Sequence, residues 1–127
     1  MKHIAILRQP FFDLILRGEK TIESRWSMNR IAPYGKVAVG DTILLKESGK
    51  AVTAQAKVGK LQYFELTPDI VESIRIKYGK QIGMQYFTNY NEILHKKYCT
   101  LIWLEDVKQI SPLNVPRSNG AGWLILK

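Results

Sequence analysis

Three charged side chains that could act together lie near the start of the chain, within the run Gly18-Glu19-Lys20-Thr21-Ile22-Glu23-Ser24-Arg25-Trp26. The alternation of a β-strand places Thr21, Glu23 and Arg25 on one face. Lys20 and Arg25 offer two cations for a phosphate or an electron-rich base edge, and Glu23 suits an exocyclic amine or a water. The alternative is an exposed Glu23–Arg25 neighbour pair that contributes little to stability.

A second group of candidate residues lies in the glycine-bearing run 116–123. Glycines allow backbone N–H groups to approach an anion, and the Arg117 guanidinium can donate two hydrogen bonds to a phosphate. Asn119 adds a polar side chain, and Trp123 can stack on a base, as Trp26 can in the first run. The alternative is an ordinary turn before a last strand, with Trp123 in the core.

Metal and cofactor sites are not indicated. His95 and Cys99 are four residues apart and His3 is distant, so the closely paired ligands of zinc motifs are missing. The glycine-rich phosphate-binding loop of nucleotide hydrolases and the strained serine turn of α/β-hydrolases are also absent. We therefore predict no metal and no cofactor.

Composition restricts the class of protein. The 127 residues, 46% of them hydrophobic, predict a single domain over 1–127. The net charge of +8 favours polyanionic partners, although basic surfaces also aid solubility. Lys96-Lys97 is the densest basic pair, so any positive patch must be assembled by the fold. A lone Cys99 in an apolar run, with no signal-like or membrane-spanning segment, predicts a cytoplasmic protein that does not enter a membrane.

Hydrophobic periodicity and turn residues predict five or six strands with two or three flanking helices, which fits an α+β fold built on a small β-barrel. The strand after 51 is expected to bulge at Gly59. The predicted strands are 3–7, 21–26, 42–47, 51–64, 98–110 and 123–126, and the predicted helices run from Pro10 to Gly18, from Thr67 to Gly79, and over about 84–97.

The first third of the chain resembles a known family. The run Arg8-Gln9-Pro10-Phe11, then Leu16, then the run from Gly18 to Trp26 look like the signature of the ASCH family of small PUA-like domains. The likeness is greatest to the branch typified by the endothelial-overexpressed, lipopolysaccharide-associated factor. Gly40-Asp41 followed by an apolar strand is also typical of the family.

The resemblance implies a pseudobarrel with a cleft and roles associated with RNA. Some small bacterial members are acetylcytidine amidohydrolases, in which a lysine, a threonine three residues later and a distant glutamate act together. Lys20 matches that lysine, but Glu23 stands in the place of the threonine and Thr21 is too early. Glu65 and Glu72 lie in the region expected for the distant glutamate.

Three hypotheses follow from these observations. The first is a domain that binds RNA or a modified nucleoside in a basic cleft. The second is a small hydrolase of acylated cytidine, with Glu23 as general base and Lys20 as its electrostatic partner. The third is an interaction adaptor without a nucleotide ligand, and no oligomeric state is predicted. The residues expected to contact a ligand are Lys20, Thr21, Glu23, Arg25, Trp26, Arg117, Asn119 and Trp123.

Overall fold

The structure, a computed structural model, describes residues 1–127 as six strands, three α-helices and one 3-10 turn. The sheet has the strand order β2-β5-β4-β3-β1-β6 and curls into a half-barrel, which confirms the predicted α+β class. In chain order the elements are β1 (Lys2–Leu7), α1 (Phe11–Leu16), β2 (Ile22–Ser27), β3 (Thr42–Glu47), β4 (Val52–Glu65), α2 (Pro68–Ile82), the 3-10 turn (Met84–Tyr86), α3 (Tyr90–Ile93), β5 (Tyr98–Leu113) and β6 (Trp123–Leu126).

The strands β1 and β3 form the only parallel pair, and apolar residues cover both of their faces. Ala5 and Leu45 face the main core of the half-barrel, while Ile4 and Leu44 belong to a smaller apolar cluster on the opposite face. A strand covered on both sides reads as a continuous apolar run. This explains why neither β1 nor β3 shows a polar alternation in the sequence.

The long strands β4 and β5 supply the curvature of the sheet. Their antiparallel pairing shifts register at three places, one of them between Val58 and Lys60. An extra residue on one strand bends it and increases its twist. The bulge predicted at Gly59 is therefore confirmed.

Helix α2 begins as predicted but ends later. The Thr67 hydroxyl accepts a hydrogen bond from the Ile70 N–H at 3.2 Å, and this satisfies a free donor of the first turn. The predicted stop at Gly79 is wrong, because the helix continues to Ile82 and Gly83 ends it with φ 86°. A left-handed glycine is the usual residue beyond a helix end. No helix of the chain, α2 included, has the length and apolar character needed to cross a membrane.

The segment predicted as a helix over 84–97 is mostly irregular. Only the 3-10 turn and the four-residue α3 are helical, and Phe87 between them has an extended backbone with ψ 133°. Thr88 and Asn89 follow, and such short polar side chains compete with the helical backbone for hydrogen bonds. The resulting open segment forms one wall of the cavity described below.

A buried series of side-chain hydrogen bonds connects β1 to the loop before β3 and to β6. The Trp123 indole N–H donates to Nδ1 of His3 at 3.1 Å, and Nε2 of His3 lies 2.8 Å from Asp41 Oδ2. Because an indole can only donate, Nδ1 carries no proton and the neutral imidazole donates from Nε2 to the carboxylate. Asp41 also accepts from the Ala38 N–H at 3.0 Å.

Arg25 closes the half-barrel. From β2, at one end of the sheet, its guanidinium donates to the carbonyl oxygens of Ile6 in β1 and of Gly122 just before β6, at 3.1 and 3.0 Å. It also lies 5.3 Å from the ring centroid of Trp123. A planar group with five donors can satisfy several acceptors at once, which an ammonium cannot do with this geometry.

We predict that Arg25→Lys lowers the free energy of unfolding by about 2–4 kcal/mol, since an ammonium cannot keep the three hydrogen bonds that the guanidinium donates to Glu23, Ile6 and Gly122, and the buried Glu23 carboxylate loses a partner. Chemical denaturation followed by circular dichroism measures the change. Arg17→Lys is the matched control, because Arg17 pairs with Glu19 at the same sequence spacing but in solvent, with side chains 57% and 58% exposed. The control should change stability by less than about 0.5 kcal/mol. Equal effects of the two substitutions would contradict the closing role of Arg25.

We predict that Asp41 makes stability depend on pH in the acid range. Burial alone would raise the pKa of Asp41, but hydrogen bonds from His3, Ala38 and the amino terminus outweigh it and lower the pKa below the ordinary value. A lowered carboxyl pKa stabilises the fold above the unfolded pKa of about 3.9, and this contribution disappears as pH falls through the folded pKa. Melting temperatures of wild type and Asp41→Asn should therefore differ at pH 7, and the difference should begin to shrink below about pH 4. A constant difference from pH 7 to pH 3 would refute the prediction.

Candidate functional site

An open cavity of 1080 Å³ adjoins β2 and contains much of the predicted site. Its walls are the end of β1 with the following turn, the strand β2, the irregular segment 86–96, and the loop 118–122 that precedes β6. Lys20, Glu23, Arg25 and Trp26 all line it. The structure thus brings together four of the eight residues that the sequence indicates as ligand contacts.

Lys20 lies at the floor of this cavity, only 2% exposed. Its ammonium donates to the carbonyl oxygens of Ile22 at 2.9 Å and Ile82 at 2.5 Å, and lies 3.2 Å from Oε1 of Glu23. These three acceptors match the three N–H groups that an ammonium has. Burial lowers the pKa of Lys20, and the Glu23 carboxylate opposes that shift in part.

Glu23 is the anionic centre of the site. Oε1 accepts from the Ser24 N–H at 2.9 Å in addition to its contact with Lys20, and Oε2 lies 3.0 Å from a guanidinium nitrogen of Arg25. Burial by itself would raise the pKa of Glu23. The charges of Lys20 and Arg25, with the hydrogen bonds from Arg25 and Ser24, outweigh burial and lower the pKa. Glu23 is therefore an ionised carboxylate held between two cations.

The Lys20 and Glu23 side chains also cover an open backbone edge. β2 is the last strand of the sheet, so its edge away from β5 has no neighbouring strand. On that edge the Ile22 carbonyl accepts from Lys20 and the Ser24 N–H donates to Glu23. Side chains take the place of a missing strand, which satisfies backbone groups that burial would otherwise leave unpaired.

Trp26 presents a half-buried ring to the cavity. Its indole N–H donates to the Ser24 hydroxyl at 2.9 Å, as expected for two residues that are two apart in a strand and so lie on one face. The hydrogen bond uses the only polar group of the indole and fixes the ring orientation. The free face of the ring is then available as an apolar surface.

The other residues that line the cavity include five aromatic or cationic side chains that are not among the predicted site residues. Three are aromatic and two are cationic, and they are Phe11, Tyr86, Phe87, Arg8 and Lys96. The sequence carries a signal for some of them, because Arg8 and Phe11 lie within the run that resembles the ASCH family. Tyr86 and Phe87 belong to the segment predicted as a helix, where aromatic residues are expected in the core.

Four predicted contact residues do not line the cavity. Thr21 is exposed just before β2, and Arg117 and Asn119 are exposed on the loop whose neighbours Ser118 and Gly120 do line it. Trp123 is buried in the main core beneath the Arg25 guanidinium. A direct role of Thr21, Arg117, Asn119 or Trp123 in binding remains a prediction that the geometry does not favour.

The two candidates for a distant glutamate also lie elsewhere. Glu65 pairs with Arg30 on the surface, at 2.9 Å. Glu72 pairs with Arg75 and accepts from the Tyr90 hydroxyl, and these hydrogen bonds lower the pKa of Glu72 to about 2. Neither carboxylate lines the cavity. No group of three or more His, Cys, Asp or Glu side chains is placed to hold a metal ion.

Comparisons with known proteins agree with the fold. The model of the ASCH domain matches residues 6–110. The ASCH protein from Zymomonas mobilis superposes with a TM-score of 0.71 at 20% identity, over 99% of this chain and 87% of that chain. A single-residue variant of that protein gives 0.73 at 19% identity, over 99% and 88%. No curated protein sequence matches at a significant level. The structures support the fold, and the extent of the family match shows that the chain belongs to the ASCH domain family.

Proposed function

We propose that this ASCH domain binds single-stranded RNA, or a modified nucleoside within it, in the cavity beside β2. ASCH domains have a PUA-like fold and are thought to bind RNA. The observation that carries the proposal is the lining of the cavity, where one exposed and three half-buried aromatic rings stand next to cations above a polar floor. Unstacked bases are recognised by this combination of stacking and charge.

The aromatic part of the lining suits bases. Tyr86 is 44% exposed and Trp26 is half-buried, with its orientation set by Ser24. Each base stacked on an aromatic ring contributes about 1–3 kcal/mol with little dependence on its identity. A free apolar ring face on a surface wall is unfavourable in water, so a stacked base would stabilise both partners.

The charged part of the lining suits a polyanion with a polar base edge. Four cations and two carboxylates line the cavity. The cations are Arg8, Lys20, Arg25 and Lys96, and the carboxylates are Glu23 and Glu92. Arg25 uses three of its N–H contacts within the chain, which leaves two of its five donors for a ligand. In this proposal Glu23 and Arg25 offer an acceptor and a donor side by side, and Lys20 holds Glu23 in place.

We predict that Tyr86→Ala weakens the binding of a fluorescein-labelled single-stranded RNA octamer of mixed sequence about tenfold, because one stacking surface is lost. Fluorescence anisotropy at 50 mM and 200 mM salt measures the affinity. Tyr86→Phe is the matched control, since it keeps the ring and removes only the hydroxyl, and it should bind like wild type. Absence of salt-sensitive binding to the octamer, or an unchanged affinity in Tyr86→Ala, would overturn the proposal.

Hydrolysis of an acylated cytidine is the second candidate function. It is favoured by the contact between Lys20 and Glu23 at the floor of an open cavity, together with the lowered pKa of the buried lysine. A lysine of lowered pKa next to a carboxylate is common in catalytic sites. Against it, all three ammonium donors of Lys20 are engaged, and the lowered pKa of Glu23 makes this carboxylate a weak base.

We therefore predict no release of cytidine from N4-acetylcytidine above the level of the Glu23→Gln variant. The missing threonine hydroxyl and the weak basicity of Glu23 both point to this result. Mass spectrometry of the reaction mixture measures cytidine directly. Cytidine production by wild type that Glu23→Gln abolishes, while the variant keeps its fold by circular dichroism, would favour the hydrolase instead.

A further inference from the structure

We infer that the ligand is a phosphate-bearing nucleotide chain, not a free nucleoside, and that Arg8 and Lys96 hold its phosphate at the rim of the cavity. The inference rests on the proposed function and names the ligand class of the same site. It assigns a binding role to two cations that lie outside the run from Gly18 to Trp26. The reason lies in how the four cations of the cavity are occupied.

Two of the four cations are already engaged within the chain. Lys20 gives its three N–H groups to two carbonyl oxygens and to Glu23. Arg25 bridges Glu23 and the carbonyl oxygens of Ile6 and Gly122. A phosphate on Lys20 would displace one of these acceptors, and a phosphate on the two remaining Arg25 donors would lie beside the Glu23 carboxylate, which repels it. Displacement of these bonds would leave buried polar groups unpaired, which is costly.

The other two cations are free. Neither Arg8 nor Lys96 has an ion-pair partner in the chain, although both line the cavity. Arg8 follows β1 and is exposed, whereas Lys96 precedes β5 and is half-buried. The backbone N–H of Lys96 donates to the Ile93 carbonyl at 3.0 Å, so a turn holds the backbone in position while the ammonium stays free. A half-buried unpaired ammonium gains more from an anion than a fully exposed one does.

The remaining carboxylate of the rim is Glu92. It is exposed and lies four residues before Lys96, yet the two side chains form no ion pair. Glu92 therefore leaves Lys96 free but repels an anion nearby. Two free cations outnumber this one carboxylate, so we expect the rim to attract a phosphate on balance. Removal of the Glu92 charge should then strengthen binding.

The size of the cavity favours a chain of nucleotides over one nucleoside. Pockets for drug-sized ligands have volumes of about 300–1000 Å³, and this open cavity of 1080 Å³ has room for more than one nucleoside. Rings of Trp26 and Tyr86 on its walls and cations on its rim fit a strand whose bases enter while its phosphates stay at the edge. A single free nucleotide has the same base and phosphate groups, so the experiment must distinguish it from a nucleotide chain.

The test compares three kinds of ligand and five variants of the full chain. The ligands are the four ribonucleosides, their 5′-monophosphates and the labelled single-stranded RNA octamer, titrated by calorimetry or anisotropy. The variants are Arg8→Ala, Lys96→Ala and Glu92→Gln, with Lys97→Ala and Lys80→Ala as matched controls. Lys97 and Lys80 are exposed cations that do not line the cavity.

We expect Arg8→Ala and Lys96→Ala each to weaken octamer binding about tenfold in 50 mM salt, and to reduce the slope of log affinity against log salt by about 0.7 each. Glu92→Gln should strengthen binding severalfold, and the two controls should stay within twofold of wild type. Tighter binding of the octamer than of the monophosphates identifies a strand as the ligand. Equal affinity for both identifies a single phosphorylated nucleotide as the ligand and overturns the inference that the ligand is a nucleotide chain.

Two failures are distinguishable. If nucleosides bind as tightly as the phosphorylated ligands, and Arg8→Ala and Lys96→Ala bind like wild type, the phosphate site is refuted while the proposed function stands. If no ligand of the three kinds binds, the proposed function itself fails. Equal losses in Lys97→Ala and Lys96→Ala would show a diffuse charge effect and would also overturn the assigned site.

Discussion

The Glu23 carboxylate is buried, and a buried carboxylate stays ionised only if hydrogen bonds and opposite charges replace its lost hydration. Lys20, Arg25 and the Ser24 N–H supply this replacement. Each cation then links Glu23 to another part of the fold. Lys20 reaches the end of α2 through the Ile82 carbonyl, and Arg25 reaches β1 and the start of β6. The position of the helix, the closure of the half-barrel and the floor of the cavity all depend on this one carboxylate.

This dependence separates structural charges from available ones. In the sequence the three residues Lys20, Glu23 and Arg25 look like a binding motif, because opposite charges cluster beside an aromatic residue. In the fold most of their hydrogen-bonding groups are used within the chain, so they form a preorganised floor. On this floor only Arg25 and Glu23 keep hydrogen-bonding positions that are free for a ligand. Arg8 and Lys96 also line the cavity, and neither has an ion-pair partner in the chain. A site with rigid internal pairs and free rim cations can bind an anion without first breaking its own contacts.

Much of the fold could be predicted from local patterns. Alternation identified β2, the apolar runs identified β1 and β3, and Thr67 with its proline marked the start of α2. The errors arose where tertiary contacts override propensity. Gly79 was expected to end α2, but it lies buried within the helix, and Gly83 ends it instead. The segment 84–97 has a helical composition, but it opens into an irregular wall because Phe87 is extended and short polar residues follow it.

The sequence by itself determined most of the elements, the family and the position of the charged run in β2, because each follows from residue types at short spacing. It could not distinguish an exposed Glu23–Arg25 pair from a buried network, since both have the same spacing. That distinction depends on burial, and burial depends on tertiary contacts. In the fold Arg25 contacts Gly122, nearly a hundred positions away, and Trp123 is buried beneath its guanidinium. Only the tertiary structure decided which cations are free for a ligand, because the energy of a charge depends on what surrounds it.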